Sequence, residues 1–364
     1  MDEKYMEMAL SLAKEGSGLV SPNPMVGAVI VKEGRVISKG YHKMYGGNHA
    51  EVEAFNSTDE DVEGATMYVT LEPCSHYGKT PPCADLIIKK KIAKVIIGTL
   101  DPNPLVSGNG VKKLKDAGIE VRVGVLEDEC KKVNEIFMKY ISEKTPFVLM
   151  KTAMSLDGKI STYTGESRWI SGEESRKQVH RLRGKYSAIM VGVNTVIQDD
   201  PELTCRIEGG KNPIRIILDS NLKIPVNSKV VQSAKDVKTI VVATKKARIQ
   251  DGIILEKKGI NILLTNEVNG RVDLRELVKK LGEQNIDSIL LEGGATLNFS
   301  ALQEGIVDKV QIYVAPMLLG GEMSKSIVGG KGVEHLKDAF RLKNLTSKSI
   351  GKDILIEGYV KKGD

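Results

Sequence analysis

Thr70-Leu71-Glu72-Pro73-Cys74-Ser75-His76-Tyr77-Gly78-Lys79-Thr80-Pro81-Pro82-Cys83 ends an apolar strand-like run, delivers two cysteines and opens a new helical pattern. Upstream, His49-Ala50-Glu51 stands at the start of another helical pattern. A catalytic zinc needs three protein ligands and one open position for water, and imidazole and thiolate donors suit it. The metal lowers the pKa of the water toward neutrality, and a nearby carboxylate can then move protons during hydrolysis. A helix beginning near His49 aims its first turn at the metal, so the ligand and the carboxylate two residues on both reach the site. Cys83 follows two prolines at a helix start, where the thiolate is favoured over the thiol.

His49, Glu51, Cys74 and Cys83 form the H-x-E…P-C…C signature of zinc deaminases. One departure matters: the general pattern has two residues between the cysteines, and here Ser75–Pro82 supply eight. The competing account is a buried histidine with two chance cysteines. Four residues with Pro73 in register weigh against it.

Outward from this stretch, residues 3–15 place Met6, Ala9, Leu10 and Ala13 at helical spacing. Met25–Val31 and Arg35–Gly40 flank Lys32-Glu33-Gly34 as a β-hairpin. A helix from about Ala50, a strand Thr66–Leu71, a helix Cys83–Lys91 and a strand Val95–Leu100 follow. A helix near Gly110–Ala117, a strand Glu120–Val125 and a helix over 127–142 complete the unit. This alternation predicts a three-layer α/β domain over 1–145, with Lys144-Thr145-Pro146 as the linker. The second half, 146–364, opens with the strand Phe147–Ala153 and a helix over 173–183. The strands Ser187–Val193, Ile214–Asp219, Thr239–Ala243 and Ile260–Thr265 follow, then a helix Asp273–Gly282. A strand Ser288–Glu292 and a helix from about Thr296 continue the alternation. Strands near Lys309–Ala315 and Asp353–Val360 lack obvious crossover helices, which predicts an α/β sheet finished by antiparallel strands. Gly293-Gly294-Ala295-Thr296 suits an anion at a helix N-terminus or simply a tight turn. No full G-x-G-x-x-G follows a strand, which disfavours a Rossmann domain.

The chain has 364 residues, 41% of them apolar and 27% charged, as expected of a globular enzyme of two domains. No apolar run approaches a membrane span, and the N-terminal Met-Asp-Glu-Lys has no signal core behind it, so a cytoplasmic location is expected. Four cysteines in such a chain argue for metal binding or packing rather than disulfides. Charge is uneven: residues 1–145 carry 19 Lys/Arg against 21 Asp/Glu, and residues 146–364 carry 34 against 26. A basic second half fits anionic small molecules at least as well as nucleic acid. The 16 aromatic residues provide little material for a base-stacking platform.

The cysteine string, Asn23-Pro24-Met25-Val26-Gly27-Ala28 and Asp101-Pro102-Asn103-Pro104 closely resemble the deaminase domain of the bifunctional riboflavin-biosynthesis deaminase-reductase family. Lys151-Thr152-Ala153-Met154-Ser155-Leu156-Asp157-Gly158-Lys159-Ile160 resembles the opening of that family's reductase domain. So do Ser167-Arg168-Trp169-Ile170, Val191-Gly192-Val193-Asn194-Thr195, Asp199-Asp200-Pro201-Glu202-Leu203-Thr204 and Glu292-Gly293-Gly294. The resemblance spans nearly the whole chain. It implies a cytidine-deaminase-like domain followed by a dihydrofolate-reductase-like domain. The activities it implies are zinc-dependent deamination of 2,5-diamino-6-(5-phosphoribosylamino)pyrimidin-4(3H)-one and NADPH-dependent reduction of the ribosyl group to ribityl.

The resemblance further implies one zinc ion per chain on His49, Cys74 and Cys83, with Glu51 as proton shuttle. Asn23, His42, His76, Lys79, Asp101 and Asn103 become candidate substrate contacts of the deaminase. Candidate substrate contacts of the reductase are Lys151, Ser167, Arg183, Leu203, Arg206 and Glu292, with Arg183 and Arg206 apt for the phosphate. NADPH is expected on Ala153, Trp169, Thr195, Asp199, Ser220, Gly294, Ala295, Thr296, Leu297, Asn298, Phe299 and Ser300. Several have plainer readings: Trp169 as a core or rim residue, Arg183 as a helix C-terminal charge, Asp199 as a turn residue before Pro201.

The expected partners are phosphorylated pyrimidines, in a homo-oligomer without nucleic acid or membrane. One alternative is a zinc deaminase of a nucleic-acid base with a non-catalytic C-terminal binding domain. The first half's negative charge, the few aromatics and the long cysteine spacing oppose it. Another alternative makes one half a regulatory module.

Overall fold

The computed structural model of the chain describes residues 1–77, 81–103 and 106–361. Its contacts divide into two units, Met1–Lys144 and Thr145–Asp364. The first contains, in order, α1 (Asp2–Glu15), β1 (Gly27–Lys32), β2 (Arg35–Tyr41), α2 (Ala50–Asn56), β3 (Thr66–Leu71) and α3 (Cys83–Lys89). β4 (Lys94–Thr99), α4 (Asn109–Asp116), β5 (Glu120–Val123), α5 (Glu127–Val133) and α6 (Glu135–Glu143) complete it. Among the described residues its sheet is five-stranded, in the order β2-β1-β3-β4-β5.

The β1–β2 hairpin turns at Glu33 and Gly34, both at positive φ (52° and 75°), the turn whose twist matches that of the flanking strands. β1 also pairs antiparallel with β3, and β3, β4 and β5 run parallel. Side chains alternate between two apolar layers. Ala28, Ile30, Met67, Val69, Val95 and Ile97 pack with α2, α3 and α4 residues such as Ala54, Ile87 and Leu114. Val29, Val31, Tyr68 and Ile96 face Met6, Ala9 and Leu10 of α1 and Cys130 of α5. A sheet buried on both faces reads as near-continuous apolar runs, and β3 and β4 do.

Gly40 decides how α2 is seated. A Cβ there would lie 2.5 Å from the Ala50 oxygen and 2.2 Å from the Ala54 nitrogen, so only glycine lets the helix lie this close to β2. The single helix expected over 127–142 is instead two. Asn134, buried between α5 and α6, leaves helical geometry (φ −103°, ψ 21°). Its amide accepts from Met25 N (2.8 Å) and donates to Met25 O (2.9 Å). A long-range bond to the chain before β1 wins over local helix propensity.

The second unit begins with β6 (Phe147–Ser155), α7 (Glu173–Lys185), β7 (Ala188–Gly192), α8 (Val193–Asp199), β8 (Ile214–Leu218) and α9 (Lys229–Gln232). β9 (Thr239–Thr244), α10 (Ile249–Glu256), β10 (Asn261–Thr265) and a small hairpin, β11 (Glu267–Val268) with β12 (Arg271–Val272), follow. The chain continues through α11 (Leu274–Glu283), β13 (Ser288–Leu291), α12 (Ala295–Gln303), β14 (Lys309–Ala315), β15 (Leu342–Ile350) and β16 (Asp353–Val360). Among the described residues the large sheet is nine-stranded, ordered β10-β9-β8-β7-β13-β6-β14-β16-β15. Its first seven strands in that order are parallel, β16 runs antiparallel to β14, and β15 runs antiparallel to β16. The antiparallel finish therefore begins one strand later than the sequence suggests: β14 runs parallel to β6, with α12 before it as a crossover.

Helices α11 and α12 cover one face of this sheet, over Val148, Met190, Ile216 and Ile289. Helices α8 and α9 contribute Val196, Val230 and Val231 to a second cluster with Ile189, Val191, Ile217 and Val241. Parallel strands with helices on both faces place the loops at the carboxyl ends of the strands around a crevice, where ligands bind in open α/β sheets. No helix among the described residues is long and apolar enough to cross a membrane.

Candidate active sites

In the first unit, His49 is the N-cap of α2 and Cys83 the first residue of α3, so two helix starts converge. Cys74 follows β3 by three residues. His49 Nδ1 lies 3.6 Å from Cys74 Sγ and 3.3 Å from Cys83 Sγ, and donor atoms of all three residues lie within 4.8 Å of one another. With Zn–N near 2.0–2.1 Å and Zn–S near 2.3 Å, the N···S edges of a tetrahedron are about 3.6 Å. The donor set therefore fits zinc in type and spacing. The backbone N–H of Cys83 donates to Cys74 Sγ (3.2 Å). The proton of Cys83 and the neighbouring imidazole hold the Cys74 thiol down to about 4, whereas Cys74 and burial push the Cys83 thiol up. The pair thus stabilises thiolate sulfur beside His49.

Glu51, in the first turn of α2, is only 3% exposed. Burial, reinforced by the nearby Cys74 sulfur, raises its carboxyl to about 7. A carboxyl at that value both accepts and gives protons near neutral pH. Beside it, His42 is buried, its ring edge-on to that of His49 at 5.8 Å. His42 Nδ1 donates to Asn48 O (2.8 Å) and Nε2 accepts from Asn23 Nδ2 (3.2 Å). Burial lowers the His42 pKa, in keeping with a neutral ring that orients the Asn23 amide.

Asp101 and Asn103 lie after β4, with Asn103 N donating to Asp101 Oδ1 (2.8 Å). Burial raises the Asp101 carboxyl. His76 is exposed. Lys79 lies outside the described residues.

Glu72 carries no role in the sequence reading and proves central here. Buried between β3 and Pro73, its carboxylate accepts four backbone N–H groups. Oε2 receives Asp101 (3.3 Å) and Gly108 (3.0 Å), and Oε1 receives Gly110 (2.9 Å) and Val111 (3.1 Å). It thereby caps α4 and ties the Asp101 segment to the strand that delivers Cys74. Gly110 permits the approach, since a Cβ there would sit 2.2 Å from Pro73 O. The signal available in the sequence was a carboxylate between an apolar strand and Pro-Cys, where only a partnered charge is buried. Glu72→Gln puts an NH2 group against these donors. It is expected to cost about 2 kcal/mol or more of stability and to raise the deaminase KM, with zinc content intact. An unchanged Tm and KM in the zinc-loaded protein would remove Glu72 from this role.

In the second unit, Glu292 follows β13 directly. Arg183, in the last turn of α7, grips it with Nε–Oε1 at 2.9 Å and Nη2–Oε2 at 3.1 Å, and Lys151 Nζ of β6 stands 3.6 Å from Oε2. Burial alone would raise the Glu292 carboxyl, but Arg183 and then Lys151 reverse this and hold it at about 2. A bidentate guanidinium is the strongest such arrangement. Arg183 Nη1 also donates to Thr204 O (3.2 Å). Its N–H groups are thus largely committed, whereas Arg206 is exposed on the same segment as Thr204. Leu203 is buried, and Ser167 is half-buried ahead of α7.

Trp169 is no core residue: it is 64% exposed, with the Arg176 guanidinium 4.7 Å and that of Arg168 5.9 Å from its ring centre. Arg168 Nη2 reaches Asp199 O (2.8 Å) at the end of α8, whose first turn carries Thr195. Ala153 lies in β6, and Ser220 follows β8 with its carbonyl accepting from Thr244. Gly294 is the N-cap of α12, and a Cβ on it would meet nothing within 4 Å. That open space at a helix N-terminus fits the anionic part of NADPH. Ala295, Thr296, Leu297 and Ser300 continue α12, while Asn298 and Phe299 are buried. Asn298 Nδ2 donates to Ile327 O (2.8 Å), and Phe299 packs edge-on to Phe340.

A family model described as the RibD C-terminal domain matches residues 146–356, and one described as the cytidine and deoxycytidylate deaminase zinc-binding region matches residues 1–99. The chain is 50% identical over 359 residues to the riboflavin biosynthesis protein RibD of Actinobacillus pleuropneumoniae, covering 99% of this chain and 95% of that protein. It is similar to the solved structure of RibD from Acinetobacter baumannii (38% identity, TM-score 0.87, 99% of both chains). A comparable match is the diaminohydroxyphosphoribosylaminopyrimidine deaminase/5-amino-6-(5-phosphoribosylamino)uracil reductase of Thermotoga maritima (39% identity, TM-score 0.85, 99% of both chains). The fold is thus cytidine-deaminase-like in the N-terminal part and dihydrofolate-reductase-like in the C-terminal part.

Proposed function

The chain belongs to the RibD family of bifunctional deaminase-reductases in riboflavin biosynthesis, and from that premise we propose which residues carry each step. The observation that supports the reading best is the convergence of His49, Cys74 and Cys83 beside the buried Glu51. These three residues would hold one zinc ion per chain, which would lower the pKa of a water molecule toward neutrality. Glu51 takes a proton from the attacking water and returns it to the ring amino nitrogen. The C–N bond then breaks, ammonia leaves and a ring carbonyl remains. Asn23, oriented by His42, and the Asp101–Asn103 segment, held by Glu72, contact the pyrimidine edge.

In the second unit, bound NADPH would supply the hydride for reducing C1′ of the ring-opened sugar, a Schiff-base-like acceptor. Gly294 and the first turn of α12 would hold its phosphates, with Thr195 and Trp169 as further contacts. Arg206 binds the substrate phosphate, and Lys151 holds its ammonium beside Glu292 next to the acceptor. Residues 1–145 are assigned to deamination and 146–364 to reduction. The enzyme works in the cytoplasm on phosphorylated pyrimidines, as a homo-oligomer and without nucleic acid.

Mass spectrometry of products from zinc-loaded protein and the phosphoribosylamino-diaminopyrimidinone tests the sequence of steps. Without NADPH the expected product has oxygen in place of the amino group. With NADPH it gains two further hydrogens. Deamination without subsequent reduction would overturn the assignment of the second unit, and no reaction in a folded, zinc-replete sample would overturn the substrate.

A further inference from the structure

Arg215, the second residue of β8, is fully buried; among the described residues its hydrogen bonds go to no carboxylate, and Asp236 acts on it only through its charge. Such a charge is costly to bury, and an apolar side chain of similar volume would serve packing more cheaply. Its guanidinium is nonetheless satisfied by main-chain and hydroxyl oxygens. Nε donates to Thr239 Oγ1 (2.9 Å), Nη1 to Ser233 Oγ (2.8 Å), and Nη2 to Ser233 O (3.0 Å) and Val237 O (2.9 Å). These four acceptors belong to the neighbouring α9–β9 connection and the first residue of β9. The fifth does not: Nη1 also donates to Glu202 O (3.2 Å), in the segment between α8 and β8.

The next residue, Leu203, has φ +54°, a left-handed conformation that a leucine holds only where its surroundings impose it. Four hydrogen bonds hold the residues on either side of it. Arg215 holds the Glu202 carbonyl from inside the fold, and Arg183 holds the Thr204 carbonyl from the Glu292 side. Cys205 N donates to Asn212 Oδ1 (3.0 Å), and Arg206 N donates to His180 Nδ1 (3.3 Å). The segment 202–206 is therefore shaped before any ligand arrives; among the described residues Arg215 gives it a hydrogen bond from within the sheet, beside the packing of Leu203 with Ile189, Val191 and Ile217.

We propose that Arg215 is a positioning residue of the reductase, which fixes the 202–206 turn so that the main chain at Leu203 and the exposed Arg206 side chain meet the phosphorylated substrate, while the Leu203 side chain stays in the core. This rests on reading Leu203 and Arg206 as substrate contacts. Arg215 touches neither substrate nor cofactor. Its effect therefore falls on substrate binding through the turn and leaves the α12 cofactor site unaltered.

The test uses full-length, zinc-loaded Arg215→Lys, with Arg215→Met as a second variant, and reads steady-state reduction of 5-amino-6-(5-phosphoribosylamino)uracil together with amide hydrogen exchange. Lysine keeps the charge but has three donors and no planar fork. The expected result is a rise of about tenfold or more in KM for the pyrimidine phosphate, with the KM for NADPH within about twofold and deamination unchanged, a loss of about 1.4 kcal/mol per factor of ten. Exchange at Cys205 and Arg206 should quicken while β8 and β9 stay protected. Parallel rises in both KM values, or a lower Tm with no change in KM, would make Arg215 merely structural and overturn the proposal. If Arg215→Met fails to fold, the Lys variant and its local exchange pattern decide. Arg206→Ala separates the premise from the proposal. If it leaves the substrate KM unchanged, the reading of the turn fails; if it raises KM and Arg215→Lys does not, the positioning role fails.

Discussion

Glu51→Gln is expected to retain its zinc and to lose ammonia release by about 10²–10⁴-fold, the usual contribution of a positioned general acid–base. The substitution keeps the shape of a side chain that is almost wholly buried in the first turn of α2, so His49 at the N-cap of the same helix keeps its place. What changes is the capacity to hold a proton. Burial brings the Glu51 carboxyl to about 7, where it passes readily between its two forms, whereas an amide does neither. Metal analysis of the purified variant alongside an ammonia assay checks the outcome. Full deaminase activity would strip Glu51 of its role, and loss of zinc with activity would mean that the variant disturbs the ligands. Reduction of separately supplied deaminated substrate should persist, because that chemistry uses none of these residues.

Lys151→Ala should impair reduction alone, by about 10²–10³-fold, the scale on which removing one preorganised charged donor is felt. Lys151 is the better target than its partner Glu292. Removing Glu292 would leave two half-buried cations, Lys151 and Arg183, without their shared counter-charge, a destabilising change. Removing Lys151 leaves Glu292 in its bidentate grip by Arg183, so the fold should hold. Separate assays of ammonia release and NADPH oxidation on the same preparation are the measurement. Equal loss of both activities would point to misfolding, and unaltered NADPH oxidation would remove Lys151 from the reaction.

Much of this was legible before any coordinates. The zinc ligands and Glu51 could be read because their chemistry requires particular residue types at helix starts, and those starts are marked by prolines and apolar periodicity. Strands such as β3 and β14 match the boundaries expected from their apolar runs. The misses share a physical cause. Asn134 breaks a helix through a bond to Met25, more than a hundred residues away, which leaves no local trace. β15 is exposed along nearly its whole length, so it has no buried face to print an alternation on the sequence. Helices α8 and α9 are too short for periodicity to register. Glu72 and Arg215 give no such signal, because a charged residue read alone suggests surface, and only the ring of donors or acceptors around each one reveals otherwise.

The strand order of the large sheet sets a timetable for synthesis. β6, the first strand of its unit to leave the ribosome, ends up between β13 and β14, whose residues begin at Ser288 and Lys309. Until that late stretch emerges, β6 has neither neighbour, and closing so long a loop is among the slow events in folding. The first unit pairs β1 with β2 and β3, and β3 with β4, within its own residues, and can finish while β6 still waits. The nascent chain therefore carries an assembled zinc-ligand cluster well before it carries a reductase, and the unpaired edges of β6 are what a chaperone would have to shield in the interval.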